Sequence, residues 1–214
     1  MNENLIEMVV IIDRSGSMAT IASDTIGGYN SLITEQKKVE GDANVTLALF
    51  DHEYEVVYNN VDINEVELLT SETFVPRGTT AMFDAIGRTI VTVGERLSNT
   101  AEEERPFSVV VTIITDGYEN ASKEYTSARI KEMIDIQQDT YNWEFIFLAA
   151  NMDAASEGEK FGIRSGKSLT FSANSDGTDT MMKSVSMAYS SIRGNGDVDY
   201  NMQAFADTID SAKA

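Results

Sequence analysis

Two apolar runs in this sequence, Met8 to Ile12 and Phe107 to Ile114, each stop at acidic polar residues. The first ends at Asp13 and the second at Thr115-Asp116-Gly117. Both are rich in β-branched residues and show no polar alternation, the pattern of a strand covered on its two faces. Such a strand needs helices above and below it, which confines the chain to α/β architectures. Further strands are expected at Val45 to Phe50, Glu53 to Tyr58, Trp143 to Ala150 and Ser168 to Phe171. The second and third of these six follow one another with almost no linker and should form a hairpin.

Helical spacing fills the intervals. Ile21 to Val39 carries apolar residues at three-to-four spacing, although Gly27 and Gly28 weaken it. Met82 to Leu97 places Phe83, Ile86, Ile90, Val93 and Leu97 on one stripe. Ala128 to Ile136, Ala154 to Phe161 and Thr180 to Ile192 read as further helices, and a short one is expected around Gln203 to Ile209. The expected fold is therefore α/β: a doubly wound, mainly parallel six-stranded sheet of Rossmann-like form. It has helices on both faces and one antiparallel edge strand. With the common order 3-2-1-4-5-6, strands one and four are neighbours. The sequence suggests a single domain over 1–214, with a core from about 5 to 192 and a polar extension from about 195 to 214.

Composition narrows the chemistry. The absence of cysteine excludes disulfides and thiolate metal sites, and a single histidine, His52, excludes a multi-histidine zinc site within one chain. A formal net charge of -19 repels phosphate backbones and disfavours nucleic acid, while it attracts cations and basic surfaces. The first ten residues are acidic and interrupted. They suit neither a signal peptide nor a membrane span, so a cytoplasmic protein is expected. A monomer is expected as well.

The loop after the first strand reads Asp13-Arg14-Ser15-Gly16-Ser17-Met18. In an extended loop alternate side chains point the same way, so Asp13, Ser15 and Ser17 converge. Adjacent strands lie about 4.8 Å apart, so Asp116 at the end of strand four reaches the same point. The crossover before that strand carries Arg77-Gly78-Thr79-Thr80 and can deliver one more hydroxyl. Hydroxyls with two carboxylates suit a hard cation that takes about six oxygens near 2.1 Å. The alternative for Asp13 and the serines is a helix N-cap.

Three segments, IIDRSGSM, RGTTAMFDAI and IITDGYEN, occur here in an order and at spacings that resemble a von Willebrand factor type A domain with a metal-ion-dependent adhesion site. The similarity extends from about Leu5 to Phe171. It implies direct metal ligation by Ser15 and Ser17, and ligation by Thr80 directly or through water. Asp13 and Asp116 would act mainly through waters and hydrogen bonds. Thr80 is preferred over Thr79 because the family pattern is Gly-x-Thr. The resemblance is greater to the compact, stand-alone bacterial and phage members than to extracellular adhesion modules.

The implied function is a non-enzymatic, divalent-cation-dependent module that captures an Asp or Glu of a partner protein, using Mg²⁺, or alternatively Mn²⁺ or Ca²⁺. The alternatives are a Mg²⁺-dependent phosphoesterase and a structural phage or assembly component with a vestigial site. Other polar residues have two readings each. Asp51-His52-Glu53 is a solvated turn, a second cation site or a partner contact. Asp153 caps a helix, or with Asn151 lines the metal face. Glu119 and Asn120 make a local turn or shape the rim. Arg14 pairs with a partner's carboxylate or lies on acidic neighbours. Met181-Met182 packs in the core.

Overall fold

The computed structural model describes residues 1–195 together with 202, 204, 206 and 207. Its centre is β1 (Asn2–Asp13), whose side chains alternate between two apolar layers. Met8, Val10 and Ile12 enter one core, and Val9 and Ile11 the other, all fully buried. The same alternation occurs in β4 (Pro106–Thr115) and β5 (Glu144–Ala150). Continuous hydrophobic runs are thus the consequence of two buried faces.

The strands β2 (Asp42–Phe50), β3 (Tyr54–Asp62) and β6 (Ser168–Phe171) complete a six-stranded sheet in the order β3-β2-β1-β4-β5-β6. Every pairing is parallel except β2 with β3, which forms the antiparallel edge. This is the expected topology. Helices α1 (Ala22–Gln36) and α5 (Ser175–Asn195) cover one face; Tyr29, Leu32 and Ile33 meet Met181, Met182 and Val185 there. The other face carries α2 (Met82–Asn99), α3 (Ser127–Tyr141) and α4 (Ala154–Lys160).

Several boundaries differ from expectation: β1 begins at Asn2 and not Met8, β3 runs to Asp62 and not Tyr58, and α3 runs to Tyr141 and not Ile136, while two further helices differ for identifiable local reasons. The first helix opens with a 3-10 segment, Gly16–Ile21, and its α-helical part stops at Gln36, short of Val39. Gly27 and Gly28 do not interrupt it. A Cβ at Gly28 would lie 2.5 Å from Met182 Cγ, so the glycine lets α1 and α5 approach closely. The last long helix begins five residues earlier than Thr180, at Ser175, because the Asn174 carboxamide accepts from the Gly177 N–H at 2.8 Å. The helix expected around Gln203–Ile209 lies mostly outside the described residues; 204, 206 and 207 are helical.

Between β3 and α2 the chain crosses the end of the sheet. Asn30 of α1 pins this crossover by exchanging two hydrogen bonds with the Leu69 backbone, at 2.8 and 2.9 Å. Buried Val66, Leu69 and Phe74 hold it down. The segment that follows, from Arg77 to Thr80, is thereby delivered to the carboxyl end of β1.

Removing the Ile11 side chain (Ile11→Ala) should cost about 2–5 kcal/mol, because the site is closed on all sides. Val56→Ala, on the half-exposed edge strand, should change stability by less than about 0.5 kcal/mol. Urea denaturation of the two variants checks both values.

Candidate metal centre

The register between β1 and β4 sets the site. Ile12 stands opposite Ile114, so Asp13 falls beside Thr115. The Thr115 hydroxyl donates to Asp13 Oδ2 at 2.6 Å, and the Ser15 N–H donates to Asp13 Oδ1 at 2.6 Å. Beyond Asp13 the serines turn toward the next loop. The Ser15 and Ser17 hydroxyl oxygens are 3.1 Å apart, and Ser17 Oγ donates to Asp116 Oδ1 at 2.5 Å. Ser15 stands at the N-cap of the 3-10 segment, but its side chain makes no capping bond. Capping therefore does not explain Ser15, although Asp13 does brace the turn through the Ser15 N–H.

Thr80 completes the group, and Gly117 shows how. A Cβ placed on Gly117 would lie 3.4 Å from Thr80 Oγ1 and 3.6 Å from Ser17 Oγ. The missing side chain leaves a small cradle edged by the two hydroxyls. Thr80 is buried whereas Thr79 is exposed. The structure brings all five expected residues, Asp13, Ser15, Ser17, Thr80 and Asp116, to this one end of the sheet.

The electrostatics of the two aspartates are unusual. Burial pushes the Asp13 carboxyl from its ordinary 3.8 up to about 6, against the opposing hydrogen bonds from Thr115 and Ser15. Burial likewise raises Asp116, with the Ser17 hydroxyl opposing. Among the described residues neither has an ion-pair partner. Two desolvated carboxylates beside three hydroxyls are a donor set that fits a hard divalent cation.

Several supporting residues lie outside the five expected ones. Thr115 is one, and its signal in the sequence is a hydroxyl immediately before Asp116 at the end of a buried strand. Asn120 holds Thr80 in place: its side-chain oxygen accepts from the Thr80 N–H at 3.0 Å, and its own N–H donates to the Thr80 carbonyl. Glu119 accepts from the N–H groups of Phe83, Ala121 and Ser122, joining this loop to the start of α2. Asp153 caps α4 through the Ser156 N–H at 3.0 Å, as the helix-cap reading expected. Arg14 turns away from the cradle and pairs with Asp51 and Glu55. Met181 and Met182 are core residues.

A doubly wound sheet with this oxygen-lined cradle at its switch point has the fold of von Willebrand factor type A structures. Among solved structures, the chain is similar to proximal thread matrix protein 1 from the mussel byssus, a structure described with a zinc-occupied MIDAS motif. The identity is 14% and the TM-score 0.60, over 88% of this chain and 46% of that one. It is also similar to a von Willebrand factor type A structure from Catenulispora acidiphila (16%, TM-score 0.57, 86% and 42%). A third is the manganese-loaded TRAP protein of Plasmodium vivax (16%, TM-score 0.55, 82% and 72%). This chain thus spans about half the length of the mussel and Catenulispora chains. No family model matches the sequence, and no curated relative is found.

The raised Asp13 has a sign that can be measured. The folded state holds this proton to higher pH than the unfolded chain, so metal-free protein should lose stability as pH rises from about 4 to about 6. Cation and proton compete for the same carboxylate. Mg²⁺ affinity at pH about 5 should be about tenfold weaker than at pH about 7.5. Calorimetric titration at the two pH values checks this, and Asp13→Ala should abolish the dominant site.

Proposed function

We propose that the chain is a divalent-cation-dependent protein-binding module whose partner offers an Asp or Glu carboxylate to the ion. The observation that carries this reading is a buried carboxylate, Asp13, and a half-buried one, Asp116, both without an ion-pair partner among the described residues and both beside the hydroxyls of Ser15, Ser17 and Thr80. Ser15, Ser17 and Thr80 would contact the ion, and Asp13 and Asp116 would hold those hydroxyls and bound waters in place. Mg²⁺ is the expected ion, with Mn²⁺ and Ca²⁺ as chemically acceptable substitutes. The zinc-occupied MIDAS motif named for one similar structure and the manganese named for another support a bound divalent metal.

Because the donors are mostly neutral hydroxyls, a bound cation keeps positive charge and offers a position that an incoming carboxylate neutralises. The overall acidity of the chain opposes an acidic partner only weakly, since charges are screened over about 8 Å at physiological salt.

A phosphoesterase is less well supported. Phosphoryl transfer needs cationic groups near the metal. The basic residues beside this cradle are Arg14 and Arg77, and both are engaged by Asp51 and neighbouring glutamates. A non-catalytic, cytoplasmic, monomeric and single-domain protein completes the proposal. Among the described residues no helix is long and apolar enough to cross a membrane.

Affinity capture from lysate in Mg²⁺ and in EDTA, with wild type and Thr80→Ala, tests the reading. The partner should be retained by wild type in Mg²⁺ and released by EDTA. It should be lost with Thr80→Ala, and with Asp→Asn or Glu→Gln at one partner position. Retention through all these changes would place the partner on another surface.

A further inference from the structure

Beside the cradle lies a second group of charges, centred on the β2–β3 turn Asp51-His52-Glu53. These three residues hold one potential ligand atom each within 4.8 Å of one another, a spacing that suits a cation. Asp51, however, is fully buried and already committed. Its Oδ2 accepts from Arg77 Nε at 2.8 Å and from Arg14 Nε at 3.1 Å, and its Oδ1 accepts from the Glu53 N–H at 2.6 Å. Arg14 continues to Glu55 at 2.6 Å, and Arg77 to Glu53. Two guanidinium groups supply the positive charge that a metal would bring.

The bonds of Asp51 join the two loops that carry the hydroxyls. Arg14 lies between Asp13 and Ser15, and Arg77 lies three residues before Thr80. Backbone bonds run between the same segments. The Arg14 N–H donates to the Phe50 carbonyl at 2.7 Å, and the Arg77 N–H donates to the Arg14 carbonyl at 2.8 Å. The Gly16 N–H donates to the Gly78 carbonyl at 3.2 Å, and the Ala81 N–H donates to the Asp51 carbonyl at 2.8 Å. Asp51 thus grips one loop by its carboxylate and the other by both its carboxylate and its carbonyl.

We infer that Asp51 is the positioning residue of the metal centre. It clamps the Arg14–Ser17 loop against the Arg77–Thr80 loop and so fixes the separation of the Ser15 and Ser17 hydroxyls from Thr80. This rests on the metal-binding reading above. Asp51 touches none of the five ligand residues through its side chain; it acts through Arg14 and Arg77. The physical reason is preorganisation. A cradle whose loops are already locked spends little of the ion's binding energy on ordering them. Without the carboxylate, the two guanidinium groups, one of them buried, lose their shared counter-charge, and the loops separate.

Mn²⁺ titration of metal-free protein, by calorimetry and by the paramagnetic signal of the free ion, tests the inference. Asp51→Ala should lower Mn²⁺ affinity about tenfold or more, within the range found for residues that orient metal ligands from a distance. Asp51→Asn keeps one acceptor and the backbone carbonyl, and should lose less. In a Thr80→Ala background, Asp51→Ala should cost less than about threefold more, because the two changes act on the same loop. Amide exchange at Gly16, Arg77 and Ala81 should quicken in metal-free Asp51→Ala. Should Asp51→Ala fail to fold, Asp51→Asn and Arg77→Gln carry the same comparison, since Arg77 is half-exposed and breaks the clamp from its outer end. Wild-type binding of Mn²⁺ with unchanged affinity in the folded variants overturns the positioning role alone. Failure of wild type to bind Mn²⁺ overturns it together with the metal centre.

Discussion

The parallel pairing of β1 with β4 is the constraint on which the upper face of the molecule depends. Both strands are buried on both sides, so a shift of register would move whole rows of Val and Ile from one core to the other. The register that satisfies both cores sets Ile12 against Ile114. Asp13 and Thr115 then meet, and Asp116, one residue further on, reaches Ser17. From this point the chain departs in opposite directions. β1 leads through α1 to β2 on one side, and β4 leads through α3 to β5 on the other. The loops part, and the crevice between them is where the hydroxyls gather.

Counter-charge then decides which acidic group can take a cation. Asp13 and Asp51 are both fully buried aspartates at the same end of adjacent strands. Burial raises Asp13 to about 6, with no basic side chain to offset it. Burial would raise Asp51 too, but the Glu53 N–H and the guanidinium groups of Arg77 and Arg14 bring it below the ordinary carboxylate range. One carboxylate is left wanting positive charge and the other is satisfied. The arginine inside the serine loop therefore serves the neighbouring turn and leaves the cradle electronegative, which suits a divalent ion.

The sequence by itself determined a mainly parallel sheet between two helical layers; its order was taken from the common doubly wound pattern, which the structure shows. Uninterrupted apolar runs can be satisfied only between two helical layers, and the handedness of crossovers leaves few ways to connect them. Loop spacing, a local property, brought Asp13, Ser15 and Ser17 together; the common strand order added Asp116, and the family resemblance chose Thr80 over Thr79. Helix limits were less legible: the early start of α5 depends on the Asn174 cap, and the passage of α1 through Gly28 depends on Met182 from a distant helix. Only the tertiary structure decided the roles of the remaining polar residues. Asp51-His52-Glu53 admits three readings as a tripeptide. Arg14 and Arg77 choose among them, and they reach Asp51 from 37 and 26 residues away. Likewise Thr115 and Asn120 gain their meaning from Asp13 and Thr80, which the chain brings near only after the sheet has closed. Charge compensation and hydrogen-bond satisfaction are pairwise and long-range, whereas hydrophobic periodicity is local, and that difference separates what could be read along the chain from what had to be folded to be seen.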